Sequence, residues 1–325
     1  MRRNRYILLL LAALFGMALG GCGGSGGAAE QYTVALVAKS TQTEFWLSVF
    51  AGAEAAATEY NMELTIVGPE TEEDYETQNQ MVEEAARDGA DAIVFSAIDF
   101  ENNAASIDSA AQQGVRIVAI DSNVASDQVS TYIGTDNYAA GQMAAQAALD
   151  RMEGPLKVGV VNYDISSANG QERERGATDL FLESGRAEIV SVINTLAEAG
   201  HAQKDTAALL RAYPEINVLV AFNEPTSVGA ARAVEEAGRS DDLFLVGFDS
   251  NVITIDGLQE GSVDALIVQN PYAMGYLGVE SAYKLLAGQG GVEQTVDTST
   301  KIVDRDNLFT MDSQKALFAF EKRWN

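Results

Sequence analysis

From residue 31 onward, short apolar runs alternate with longer segments whose apolar and alanine positions recur at spacings of three and four, and few folds accept that rhythm. A short buried strand followed by an amphipathic helix, repeated many times, is the pattern of βαβ units whose helices cover both faces of a parallel sheet. The first series predicts strands at Thr33–Ala38, Glu63–Val67, Ala92–Ser96, Arg116–Ile120 and Ser130–Ile133, with helices over Phe45–Tyr60, Asp74–Asp88 and Asn102–Gln113. Gly89 and Gly114 follow two of these helices where a left-handed cap is expected.

A second series of the same kind starts after Gly134-Thr135-Asp136-Asn137. It reads as helix Tyr138–Arg151, strand Lys157–Val161, helix Gly170–Ser184, strand Glu188–Ile193, helix His201–Tyr213, strand Val218–Phe222, helix Thr226–Ala237, and strands Leu243–Gly247 and Val263–Val268. One more helix, Tyr272–Leu286, and a tail with a short strand pattern and a last helix remain. The expected architecture is α/β: two similar doubly wound parallel-sheet lobes joined by a three-segment hinge near Thr135–Asn137, Gln269–Asn270 and Thr298–Lys301. The lobe near the amino terminus comprises 31–135 plus 270–299, and the other 136–269 plus 300–325. A chain of about 300 residues exceeds one ordinary core, in keeping with two domains.

The amino-terminal end has a different character. Met1-Arg2-Arg3-Asn4-Arg5 leads into an apolar stretch from Tyr6 to Leu19, too short to span a bilayer comfortably, so residues 1–21 are expected to be a secretory signal. Leu19-Gly20-Gly21-Cys22 resembles the bacterial lipobox, which implies lipidation at Cys22 and a Gly-rich tether over 22–30. Cys22 is the only cysteine, so an internal disulfide or thiolate metal cluster is not expected. Without residues 1–21, 18 Lys and Arg stand against 47 Asp and Glu, a formal −29. Such a chain repels nucleic acid and anionic lipid.

In an open parallel sheet, ligands bind beyond the carboxyl ends of the strands. The residues there form a polar and aromatic set: Lys39, Ser40, Thr43, Phe45 and Trp46 after the first strand, Asp121-Ser122-Asn123 after the fourth, Arg173 beyond the strand ending at Val161, then Asn223-Glu224, Asp249 and Gln269. Carboxylates and amides bridge adjacent hydroxyls, an arginine fork donates paired bonds, and aromatic faces cover the C–H side of a sugar ring. Each has a structural alternative. Phe45 and Trp46 point about 100° apart on a helix, so one of them can belong to the core. Asp121 and Asp249 can be turn or cap acids, each with a serine and a helical pattern following; Asn223 or Glu224 can cap the helix entered through Pro225; Arg173 and Arg175 can be surface ion pairs. His201 has no acid at a recognisable catalytic spacing, and phosphate loops, serine elbows and two-histidine metal motifs are missing from the sequence, so no catalysis, cofactor or metal is expected.

Val34-Ala35-Leu36-Val37 with Phe45-Trp46, Ile120-Asp121, Arg173-Glu174-Arg175-Gly176, Phe222-Asn223-Glu224, Val246-Gly247-Phe248-Asp249 and Gln269-Asn270-Pro271 stand in an order that resembles the ribose-binding-type (type I) periplasmic sugar-binding proteins of bacterial ABC importers. The resemblance covers nearly the whole chain after the signal. It implies that Phe45 and Trp46 stack on a sugar, that Asp121, Arg173, Asn223, Asp249 and Gln269 bond its hydroxyls, and that Phe248 shapes the far wall. It also implies a monomer that works with a membrane permease and closes by hinge motion. Lys39 and Ser122 depart from the ribose pattern, which has a small hydroxyl and an arginine there, and no aromatic stands near Ala197. Lys39 with Arg173 could hold an acidic sugar, or Lys39 could pair with Asp121 or Glu224. A ligand sensor for a membrane receptor, or a nucleoside or other non-sugar ligand, are the alternatives.

Overall fold

The structure is a computed structural model that describes residues 31–163 and 165–318. The signal, Cys22 and its tether therefore lie outside the described residues. Five strands come first, β1 (Thr33–Val37), β2 (Glu63–Val67), β3 (Ala92–Phe95), β4 (Arg116–Ile120) and β5 (Val129–Gly134), with helices α1 (Glu44–Glu59), α2 (Tyr75–Arg87) and α3 (Ala104–Gln112) between them. Then follow α4 (Asn137–Arg151), β6 (Leu156–Asn162), α5 (Ala168–Glu183), β7 (Ala187–Asn194), α6 (Ala199–Ala212), β8 (Val218–Ala221), α7 (Glu224–Glu236), β9 (Phe244–Phe248), α8 (Val252–Glu260) and β10 (Ala265–Val268). The chain ends with α9 (Pro271–Leu286), β11 (Thr295–Asp297), β12 (Lys301–Asp304) and α10 (Met311–Leu317).

These strands form two six-stranded sheets, ordered β11-β5-β4-β3-β1-β2 and β12-β10-β9-β8-β6-β7. All pairings are parallel except that of β12 with β10. Strand alternation divides each lobe's core into two layers. On β1, Val34 and Leu36 join the cluster beneath α1 and α9, whereas Ala35 and Val37 join the one on the opposite face. The chain passes between the sheets at Thr135–Asp136, Gln269–Asn270 and 298–300. Thr135 Oγ1 donates to Gln269 Oε1 at 2.8 Å and Thr298 N to Gly134 O at 2.8 Å, so the crossings are bonded to one another.

Two differences from the sequence expectation bear on the site. No helix follows Asp121, where an irregular loop leads to β5, and α8 is capped by Asn251, whose side chain accepts from Ile253 N. Neither aspartate is therefore a helix cap. His201 does have an acid: Glu198, three residues earlier, caps α6 and lies 2.8 Å from His201 Nδ1. Both side chains are more than half exposed, which makes this a surface cap pair.

One packing device occurs in both lobes. Gly52 of α1 and Gly275 of α9 each face the other helix's backbone, and Gly141 of α4 and Gly176 of α5 do the same. A Cβ at Gly275 would run into Val49 O, and one at Gly176 into Tyr138 O. The absent side chains let each helix pair approach to backbone contact. That contact fixes α1, which carries Phe45, and α5, which carries Arg173. Gly176→Ala is expected to destabilise the protein by about 1–3 kcal/mol, the usual cost of overpacking. The measurement is a urea midpoint at unchanged slope; an unaltered midpoint would mean that α4 and α5 can separate freely.

Candidate ligand-binding site

The carboxyl ends of the strands of both sheets meet across a narrow cavity of about 20 Å³. Nine of the residues expected from the sequence line it: Lys39, Thr43, Phe45, Trp46, Asp121, Arg173, Asn223, Asp249 and Gln269. Ser122 does not. It is buried beside the wall with its hydroxyl unpartnered by protein. Phe248 is also buried off the wall, and acts from beneath, its ring centroid 4.7 Å from the Arg173 guanidinium carbon.

Local folding explains most placements. Thr43 caps α1 by accepting from Trp46 N at 3.3 Å, which turns the helix start toward the cavity. Trp46 is almost wholly buried in the lobe core with an edge on the cavity, whereas Phe45 is partly exposed and meets Trp46 edge-on at 5.2 Å. Asn223 caps α7 in a reciprocal box with Thr226, so its Oδ1 is committed and its Nδ2 is the end left for a ligand. Asp121 and Asp249 both adopt left-handed backbone, φ 55° and 65°, a conformation open to aspartate at modest cost, and so turn off the ends of β4 and β9.

Arg173 is buried, and no donor nitrogen lacks a partner: Nε donates to Asn137 Oδ1 at 2.9 Å, one terminal nitrogen to Phe222 O at 2.6 Å, the other to Gln269 Oε1 at 2.8 Å. Arg175, two residues on, is the surface member of that run, ion-paired with Glu172. Gln269 Nε2 donates onward to Asp249 Oδ1 at 2.7 Å. On the opposite wall Asp121 accepts from Ser96 Oγ at 2.8 Å and from Asn169 Nδ2 at 3.2 Å.

Five further residues line the wall: Glu224 and Pro225, which adjoin Asn223 in the strand-end set, and Glu72, Tyr163 and Asn169, which the sequence does not single out. Tyr163 directly follows β6, so strand-end position is the signal that could have found it. Its hydroxyl donates to Asn169 Oδ1 at 2.8 Å, and Lys39 Nζ sits 5.1 Å from its ring centroid. Lys39 pairs with Glu72, at 3.6 Å, rather than with Asp121 or Glu224. Glu72 lies in the β2–α2 loop, where sequence spacing carries no distance information.

Glu224 spans the cleft. From the start of α7 its carboxylate accepts from Phe45 N at 2.9 Å and Glu44 N at 3.3 Å, the unsatisfied N–H groups at the start of α1, and from Asn251 Nδ2 at 2.9 Å. Burial pushes its carboxyl up to about 7, opposed by those bonds and helped by Asp249 and Glu44; burial likewise raises Asp249 to about 6, opposed by Arg173. The folded protein therefore holds more protons on these acids than the unfolded chain does. Their contribution to stability is greatest below their ordinary pKa values near 4 and is lost as pH rises through about 7. Glu224→Gln, which cannot ionise, is expected to flatten the fall in melting temperature between pH 5 and 8 relative to the unsubstituted protein. Parallel pH profiles would show that Glu224 does not titrate in this window.

Comparison with known proteins places this geometry. Residues 34–290 match the family model described as "Periplasmic binding protein domain". The ribose import binding protein RbsB of Bacillus subtilis is 25% identical over 273 residues, covering 84% of this chain and 87% of its own. A solute-binding protein of an Agrobacterium vitis ABC transporter, solved with bound D-fucose, superposes with a TM-score of 0.85 at 29% identity, covering 88% and 99% of the two chains. A carbohydrate-transporter solute-binding protein of Agrobacterium radiobacter, in complex with D-arabinose, gives 0.86 at 27% identity, covering 89% and 100%.

Proposed function

Because this chain belongs to the periplasmic binding protein domain family, we propose that it is the extracytoplasmic binding component of an ABC importer and closes its two lobes around a monosaccharide or close derivative. The observation that carries this reading is the pairing, in one interlobe cavity, of the Phe45 face with a ring of hydroxyl-directed groups: Asp121, Asn223, Asp249 and the Arg173–Gln269 chain. Phe45 covers the apolar C–H face of the sugar ring and the acids accept its hydroxyls. A wrong epimer leaves one of these buried groups unpaired, which costs more than the matching bond gains.

The mechanism is closure about the three crossings. Contacts from both lobes shift an open population toward the closed one, and Glu224 adds bonds that exist only when the lobes meet. The role is binding without turnover, like that of the solute-binding relatives. We further propose that the protein acts as a monomer held beside its permease by a lipid on Cys22, which keeps delivery local.

A thermal-unfolding panel on residues 30–325 with pentoses, hexoses, polyols and nucleosides tests this. A ligand at a thousand times its dissociation constant adds about 4 kcal/mol and raises the midpoint by several degrees. Phe45→Ala is expected to weaken the responding ligand by about tenfold. A shift with nucleosides alone, or with none of the compounds on ligand-free protein, would sink the sugar reading.

A further inference from the structure

The hydrogen bonds that cross the cleft lie at different distances from the hinge. The crossings follow β5 and β10 and run between β11 and β12, so they occupy one end of each sheet. At the other end stand the edge strands β2 and β7, each four strand spacings, or roughly 19 Å, from β5 and β10 respectively. The loops that leave these edge strands touch across the cleft. Glu73, between β2 and α2, accepts through Oε1 at 2.8 Å from the backbone N–H of Ala197, between β7 and α6. Both loops are tied to their own lobes. Asp74 caps α2 by accepting from Thr77 N at 2.9 Å. Thr195 donates through its N to Asn162 O at 2.9 Å and through Oγ1 to Asp205 Oδ2 at 2.7 Å. The separation of Glu73 from Ala197 therefore follows the lobes rather than a loose loop.

Resting on the two-lobe closure proposed above, we propose that Glu73 is a positioning residue for closure, a latch at the outer edge of the cleft that prolongs the closed state whichever ligand lies inside. Neither Glu73 nor Ala197 is among the residues lining the cavity, so the bond adds the same increment for every ligand. A carboxylate accepting from an N–H makes a charge-assisted bond, stronger than one between neutral groups. Its place makes it selective for full closure. At the point farthest from the crossings the smallest opening parts the pair, whereas the bonds from Glu44 N and Phe45 N to Glu224 follow strands nearer the crossings and stretch less. The two acids also reach in opposite directions, Glu224 from the second lobe to the first and Glu73 from the first to the second. The Glu73 bond is then the first to break on opening and the last to form on closing.

The test is stopped-flow release of the tightest-binding sugar from the unfolding panel and of a weaker epimer. Glu73→Ala is expected to speed release by about three- to tenfold, by the same factor for both sugars, so that their affinity ratio is unchanged. Glu73→Gln keeps an acceptor oxygen without the charge and is expected to recover part of the lost residence time. Release unaltered by Glu73→Ala, or altered by different factors for the two sugars, overturns the latch while leaving sugar binding intact. If no sugar binds, closure is read without one. Nitroxide labels on Thr71→Cys and Asn194→Cys, exposed positions beside the pair in a 30–325 chain that has no cysteine of its own, report the separation of the two edges in ligand-free protein. Glu73→Ala is expected to move that distance distribution outward. An unmoved distribution overturns the latch whatever the ligand proves to be.

Discussion

A guanidinium cannot shed its proton, so a buried one must be surrounded by acceptors, and much of the interlobe architecture follows from meeting that demand at Arg173. Its acceptors are the first residue of α4, the Phe222 carbonyl just past β8 and the glutamine at the second crossing. Phe248 presents its ring below. These partners come from parts of the chain far apart in sequence, and each lies at or next to a strand end or a crossing. Gln269 then relays the arrangement to Thr135 and Asp249. Truncating the guanidinium would take a donor from Asn137, Phe222 and Gln269 together, and it is this shared dependence that makes hinge and binding wall one network.

The two lobes solve the problem of presenting a carboxylate in the same way. Asp121 and Asp249 each follow a strand flanked on both sides, and each takes a left-handed turn that a β-branched or bulky residue would resist. The strained backbone is held in each lobe by a hydrogen bond to a neighbouring strand: Asp121 N to Ile133 O and Asp249 N to Ile267 O. Local strain held by a neighbouring strand is a familiar companion of binding sites. Here the strain aims two acids at one cavity from opposite sides.

Strands and helices of both lobes were legible because burial on two faces enforces apolar runs and amphipathic helices enforce their spacing. Strand-end position found Asp121, Arg173, Asn223, Asp249 and Gln269, which need only the topology to converge. What escaped had other causes. Glu72 and Asn169 act through contacts between segments whose separation no periodicity encodes. Asp249 and its following serine read like a cap, but Asn251 has the geometry that reaches the helix N–H groups. Strand β11, three residues long, was too short to register as a pattern. Ser122 follows the aspartate into the loop yet is buried off the cavity wall, a distinction that spacing does not hold.

The glycine-to-backbone contacts between α1 and α9, and between α4 and α5, have a consequence for motion. Helices in backbone contact slide or bend poorly, because any displacement forces main-chain atoms together. Each lobe then behaves as a stiff lever arm whose fulcrum is a pair of two-residue crossings and one three-residue crossing. A small rotation at the fulcrum becomes a larger displacement at the far rim, so the separation of the two rims acts as a gauge of what lies between the lobes.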